Sequence, residues 1–384
     1  MIPEEVVNTV SLEFSAMART KSMSGEKLYS LGLGEPFWQA PQSVREKLSE
    51  LALNAHFGYK SPFGNPELRG HIAQALTSIS DFEIESGNVL IAAGAKQALS
   101  IALKTILEDE DEVIILDPCF VSYRPQVLLA NHNAKALSCP LSDDFTIDFS
   151  ALTSQITDKT KAILVNTPNN PSGGLISKAE MDSLVQLAQN CGAYLICDEI
   201  YRDFVFYDAR FHSANAHRGT YDQIITIDGF SKTYGMTGWR LGYLVASQEF
   251  ISKAVKVVQH EMTNIPELLQ VAACEVFSLP GNWFEQYRSV LERNAAYYFE
   301  TTKDISVLQT AQIQAGMFCF PSFDLKGVGS DQIAVELLKD QSVAVTPGVA
   351  FGKRWDDYIR ISLSSPETEF RDAIDRFAHF FRKF

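Results

Sequence analysis

The chain predicts an α/β fold: a large domain with a mostly parallel sheet covered by helices, and a smaller α+β domain beside it. Three observations carry that prediction. Short apolar runs alternate with helical patterns through the middle of the chain, turn or polar residues arrive at the carboxyl end of each run, and the pattern changes after residue 280. Val89-Leu90-Ile91 leads to a glycine turn at Gly94 and a helical stretch from about Lys96 to Leu107. Val113-Ile114-Ile115-Leu116 stops at Asp117-Pro118, and Ala162-Ile163-Leu164-Val165 stops at Asn166-Thr167-Pro168. Tyr194-Leu195-Ile196-Cys197 ends on Asp198, and Ile224-Ile225-Thr226-Ile227 ends on Asp228. Open α/β sheets place their ligands beyond such carboxyl ends.

In the later part, Gly316-Met317-Phe318-Cys319-Phe320 and Tyr358-Ile359-Arg360-Ile361-Ser362-Leu363 read as strands. A final helix is expected after Ser365 as its cap, with Pro366 in the first turn. Phe370, Ile374, Phe377 and Phe381 then share one face. The expected division is a large domain over 46–280 and a small one built from 1–45 with 281–384.

Composition narrows the function. A chain of 384 residues exceeds one simple core, and 46% hydrophobic with 21% charged residues is ordinary for a soluble globular protein. A net charge of −14 argues against nucleic acid or an anionic membrane as partner, but leaves room for a small anion held by a few local cations. No apolar run approaches the ~20 residues that span a bilayer. Met1-Ile2-Pro3-Glu4-Glu5 lacks the basic start of a secretory signal, so a cytoplasmic protein is expected. The six cysteines form no Cys-x-x-Cys pair and the seven histidines no His-x-x-x-His pair, so reduced thiols and no metal site are expected.

The chemistry centres on Lys232. It lies just past the Ile224–Ile227 run, with Arg240 eight residues on. A lysine can form an imine with a carbonyl when burial or a neighbouring cation lowers its pKa. The plain alternative is a solvated loop lysine. Asn166-Thr167-Pro168-Asn169-Asn170-Pro171-Ser172-Gly173 is a rigid turn after a strand, built of residues that serve turns for steric reasons alone. Asp198, at a strand end, either needs a cation, an amide or a protonated ring nitrogen as partner, or caps the next helix. Tyr201 can reach the same place. Gly94-Ala95-Lys96 opens a helix whose free amides suit a phosphate, although helix starts after strands are common. Arg360 either binds a carboxylate through its planar fork or faces outward from a half-exposed strand.

Taken together, these segments resemble the fold-type I pyridoxal-phosphate enzymes, specifically the class I/II, aspartate aminotransferase-like, aminotransferases. The resemblance runs from Leu31-Gly32-Leu33-Gly34-Glu35-Pro36 through Tyr59, Gly64-Asn65-Pro66-Glu67-Leu68-Arg69 and Ala93-Gly94-Ala95-Lys96-Gln97-Ala98-Leu99. It continues through the Asn169–Gly173 turn, Asp198-Glu199-Ile200-Tyr201, Ser231–Arg240 and Pro347-Gly348 to Arg360. The resemblance implies a transfer of the amino group of an α-amino acid to a 2-oxo acid through pyridoxal 5'-phosphate, in two half-reactions. Lys232 would hold the cofactor and shuttle the proton, and Asp198 would pair with the ring nitrogen. Asn170 and Tyr201 would meet the ring's phenolic oxygen, and Phe120 would stack on the ring. Ala95, Lys96 and Arg240 would hold the phosphate. Arg360, with Gly34 and Asn170 close by, would bind the substrate carboxylate. Tyr59 would reach the neighbouring subunit's phosphate, which makes a homodimer with shared active sites part of the expectation.

This sequence departs from the family pattern at Gly229, where many relatives carry a phosphate-binding hydroxyl, and at Cys119, Phe120 and Phe37. Lys104 could meet a substrate side-chain carboxylate, or simply face solvent; Glu13 could favour a basic substrate. Phe14, Phe37 and Trp38 could line the pocket or pack the small domain. A lyase or cyclase would use the same lysine, aspartate and arginine. A non-catalytic sensor is disfavoured by the lack of a helix-turn-helix region or basic tract. Substrate identity is not legible in these motifs.

Overall fold

The computed structural model describes Val6 and residues 27–80 and 82–384. Seven strands form the large sheet: β1 (Val89–Ala92), β2 (Glu112–Asp117), β3 (Lys135–Pro140), β4 (Thr160–Asn166), β5 (Tyr194–Asp198), β6 (Ile224–Gly229) and β7 (Gly242–Val245). Their spatial order is β1-β7-β6-β5-β4-β2-β3. β7 runs antiparallel to both of its neighbours, and every other pairing is parallel.

Side chains alternate across this sheet, and both faces are apolar. Val113, Ile115, Ala162 and Leu164 join the core under the helices Ala95–Ile106 and Gln248–Glu261. Ile114, Leu116, Ile163 and Val165 join the opposite core, with Met181, Leu184 and Ala188 of the helix Lys178–Cys191. That helix starts on a reciprocal Ser177–Glu180 capping box and stops at Gly192, φ 69°, a left-handed position that suits glycine. Burial on both faces is why these strands read as continuous apolar runs.

The remaining elements form smaller sheets. Phe318–Cys319, Ile359–Ser362 and Thr346–Pro347 make a three-stranded antiparallel sheet with Ile359–Ser362 in the middle. The early segment Tyr29–Ser30 pairs in parallel with Val343–Ala344, and the Ser362 amide donates to Leu31 O at 2.7 Å. The last helix spans Glu367–Phe381 and buries Phe370, Ile374, Phe377 and Phe381, each worth about 1.5–3 kcal/mol over exposure. The expected Ser365 cap is corrected: Pro366 occupies the N-cap position and no side chain caps the helix. Acidic residues in the first turn, Glu367 and Glu369, complement the exposed amides instead.

Candidate active site

A cavity of about 530 Å³ opens at the carboxyl ends of β5 and β6, facing the start of the helix Ala95–Ile106. Lys232, Asp198, Tyr201, Asn170, Arg360 and Arg240 all line it. Gly34, Ala95, Lys96 and Phe120 complete the part of the wall expected from the sequence. Tyr59 does not line the cavity of its own chain and is 89% exposed.

Lys232 Nζ donates to Gly34 O at 2.5 Å and lies 5.8 Å from the centroid of the Tyr201 ring. Burial, reinforced by Arg360 and opposed by Glu35 and Asp198, brings its pKa down to about 8. A substantial fraction of the amine is therefore unprotonated near neutral pH, as a nucleophile requires.

Asp198 ends β5 and is buried. Its carboxylate accepts from the Tyr123 hydroxyl at 2.8 Å and from the Ile200 amide at 3.2 Å. Burial outweighs these donors and pushes the pKa up to about 6. A buried acid in this state is completed by a cation, and a protonated ring nitrogen is such a partner.

Arg360 sits in the central strand of its sheet, where burial lowers its pKa to about 10. Nη1 donates to Asn170 Oδ1 at 3.0 Å; Nη2 donates to Gly32 O at 2.7 Å and Thr346 Oγ1 at 3.2 Å. The guanidinium lies 4.3 Å from the Phe318 ring centroid, and its buried Nε has no partner among the described residues. A desolvated fork with neutral acceptors is set to take a carboxylate.

The helix Ala95–Ile106 begins at Gly94, φ 86°, with no side chain capping its first amides. A Cβ on Gly94 would stand 2.7 Å from Arg240 Nη2, so the glycine lets the guanidinium lie against the helix start. Arg240 donates to Thr237 O at 2.9 Å and Ala93 O at 3.1 Å. Lys96 Nζ stands 5.3 Å over the Phe120 ring, its pKa lowered by burial and by Arg240. Two cations and a helix start converge here, which is the donor set a phosphate takes.

Gly229 has a steric reason. A Cβ there would meet Gly242 Cα at 2.8 Å and Leu241 O at 3.0 Å, leaving no room for the hydroxyl that relatives carry. The Asn170 turn is pinned to the same end of the sheet: its amide donates to Asn166 Oδ1 at 2.7 Å, and Asn166 Nδ2 donates to Asp198 O at 2.8 Å.

Tyr123 and Gln126 were not anticipated. Both line the cavity from the helix Tyr123–Ala130, and both amide atoms of the buried Gln126 lack partners among the described residues. Phe120-x-x-Tyr123 places two rings at one helix start, a spacing that could have drawn attention to the tyrosine. Lys104 forms an ion pair with Glu261 and does not line the cavity. Trp38 stacks on Tyr287 at 4.8 Å and donates to Thr233 O at 3.0 Å, and Phe37 packs beside it at 5.1 Å. Neither of these aromatics lines the cavity. Glu13 and Phe14 lie outside the described residues.

A part-buried lysine, a strand-end aspartate, a helix start flanked by two cations and a buried arginine thus line one cavity of an α/β fold. The sequence profile of the class I and II aminotransferases matches residues 26–377. The chain is 32% identical over 350 residues to an aspartate aminotransferase of Pyrococcus abyssi, covering 90% of each chain. It is 30% identical to aromatic-amino-acid aminotransferase 2 of Thermococcus litoralis, covering 91% of each. The crystal structure of the Thermotoga maritima aspartate aminotransferase superposes with a TM-score of 0.91 at 29% identity, over 98% of both chains. The protein belongs to the class I and II aminotransferase family.

Proposed function

We propose that the cavity binds pyridoxal 5'-phosphate and that the enzyme transfers the amino group of an α-amino acid to a 2-oxo acid there, with Lys232 at the centre. The observation that carries this reading is Lys232 itself, part-buried in the cavity wall with its amine donating to Gly34 O, where Arg360 and Asp198 act on it and its pKa is brought down to about 8. When bound, the cofactor supplies an electron-withdrawing ring and the carbon that carries the amino group between the two half-reactions.

The chain's own groups do the rest. The amides of Ala95 and Lys96, with Arg240, hold the phosphate. Asp198 keeps a proton on the ring nitrogen, and Tyr123 orients that carboxylate. Asn170 and Tyr201 donate to the phenolic oxygen, and Phe120 covers one ring face. Arg360 and the Gly34 backbone would fix the substrate carboxylate and so orient the substrate Cα toward Lys232. Lys232 Nζ then removes and returns the proton at Cα.

The proposal includes a homodimer in which Tyr59 reaches the neighbouring site; its 89% exposure supports that role. It includes a division into 46–280 and 1–45 with 281–384, supported by the core under the last helix, whose buried members come from 29–38 and 291–381 apart from Ile200, Tyr201, Phe204 and Phe206. A cytoplasmic location is supported by six free cysteines, and among the described residues no helix is long and apolar enough to cross a membrane. The relatives' names include aspartate and aromatic-amino-acid aminotransferases and a (5-formylfuran-3-yl)methyl phosphate transaminase. The test is a screen of amino donors against 2-oxoglutarate and pyruvate, followed by cofactor absorbance. Reversible cycling between aldehyde and amine forms that depends on the oxo acid supports transamination; oxo-acid-independent release of ammonia would replace it with a lyase.

A further inference from the structure

We propose that Glu67, His71 and Cys274 form a binding site for a divalent cation of the zinc type, separate from the cavity around Lys232. None of the three residues lines that cavity.

Glu67 and His71 lie four residues apart in the helix Pro66–Thr77, so one stands above the other on a single face. His71 Nε2 is 3.8 Å from Glu67 Oε1. Cys274 arrives from elsewhere in the chain, at the start of the short helical turn Cys274–Ser278 that continues the helix Glu267–Ala273. The three ligand atoms lie within 4.8 Å of one another. Tetrahedral zinc, with bonds of about 2.0–2.3 Å, sets its ligand atoms about 3.3–3.8 Å apart. Side-chain rotations that shift these atoms by about 1 Å therefore close the site without backbone movement.

Carboxylate, imidazole and thiol are the O, N and S donors that zinc takes together, and three protein ligands leave a fourth position for water. The surroundings favour a cation. Glu267 and Glu275 belong to the two helical segments that meet at Cys274 and add to the carboxylate of Glu67. The imidazole plane is also fixed: His71 stacks on Phe277 at 5.2 Å with 18° between the rings, which leaves Nε2 turned toward Glu67. Among the described residues the Cys274 thiol donates to Gln270 O at 3.5 Å. Binding releases the thiol proton to solvent and joins two helices distant in sequence. Glu-x-x-x-His supplies two of the proposed ligands from one helix, and the third comes from a distant segment of the chain.

The test is a Co²⁺ titration of the full-length protein after stripping with a chelator. The expected result is a near-ultraviolet thiolate-to-cobalt band that saturates at one equivalent per chain and is bleached by Zn²⁺. Cys274→Ser abolishes the band, and His71→Ala weakens cobalt binding by at least about tenfold. Cys191→Ser, at a half-buried thiol elsewhere, leaves the band unchanged. Transaminase turnover is unchanged in all three variants. If Cys274→Ser does not fold, His71→Ala decides, because its ring is part-exposed and its loss leaves the core intact. Absence of the band at millimolar Co²⁺, its survival in Cys274→Ser, or unchanged affinity in His71→Ala overturns the proposal.

Discussion

Replacing Asp198 with Asn separates what this carboxylate does for catalysis from what it does to the fold. Burial raises its pKa from 3.8 to about 6 in the cofactor-free protein. The folded state therefore binds more protons than the unfolded state between those values, and stability falls as pH rises through that window. Above the window the ionised acid costs the shift of about two units at 1.36 kcal/mol each, roughly 3 kcal/mol. Asn removes the charge and keeps the shape: its oxygen accepts from the Ile200 amide, and its NH₂ donates to the Tyr123 hydroxyl, which rotates to accept. Part of the gain is returned because Lys232 loses a nearby opposite charge. Urea unfolding of the cofactor-free proteins should show Asp198→Asn more stable by about 1–3 kcal/mol at pH 7.5 and equal to the parent at pH 4. The loaded variant should lose several orders of magnitude in turnover, since nothing holds the ring proton. A variant no more stable at neutral pH, with the same pH dependence as the parent, would refute the burial argument; near-normal turnover would refute the ring-nitrogen assignment.

Lys232→Ala should abolish borohydride-trapped attachment of the cofactor, and peptide mapping that finds the label on another lysine would sink the assignment. In the parent, the rate of cofactor capture should rise with pH through about 8 and then level off, because the free amine is the reactive form; a flat profile counts against it. Arg360→Lys replaces a fork with a point charge and loses one charged hydrogen bond, about 2 kcal/mol or roughly thirtyfold in KM, with cofactor affinity unchanged. An unaltered KM contradicts that. Gly94→Ala forces a side chain into φ 86° and against Arg240, so cofactor should bind about tenfold more weakly while turnover at saturation stays close to normal. Parent-like affinity would show that the cradle does not depend on this approach.

Five of the seven sheet strands were legible because they are apolar on both faces and end in a polar or glycine signal. β3 was not, because as an edge strand its Lys135-Ala136-Leu137-Ser138 run is partly exposed and mixed in character. β7 was not, because Gly242-Tyr243-Leu244-Val245 opens on a glycine and runs on from the Ser231–Arg240 segment with no turn signal between them. Asp198 and Arg360 stood out because a polar group at the end of or inside a buried strand has to be explained, whereas Lys232 and Asn170, in the segments after β6 and β4, were singled out by the family resemblance. Tyr123 and Gln126 carry no such signal, since their helix could face any neighbour until the tertiary fold is known. The same holds for Cys274, whose meeting with His71 depends on helix packing across some two hundred residues of intervening chain.

The reversed direction of β7 has a consequence for how this family can vary. A parallel β7 would need a crossover that carries the chain back along the sheet before the next strand begins. Antiparallel pairing lets the connection leave β6 and enter β7 at one rim, so Lys232 and Arg240 lie on one short segment between two paired strands. The Gly229–Gly242 approach closes the base of that segment and fixes its span. Loops elsewhere around the cavity can then change without altering the span between Lys232 and Arg240.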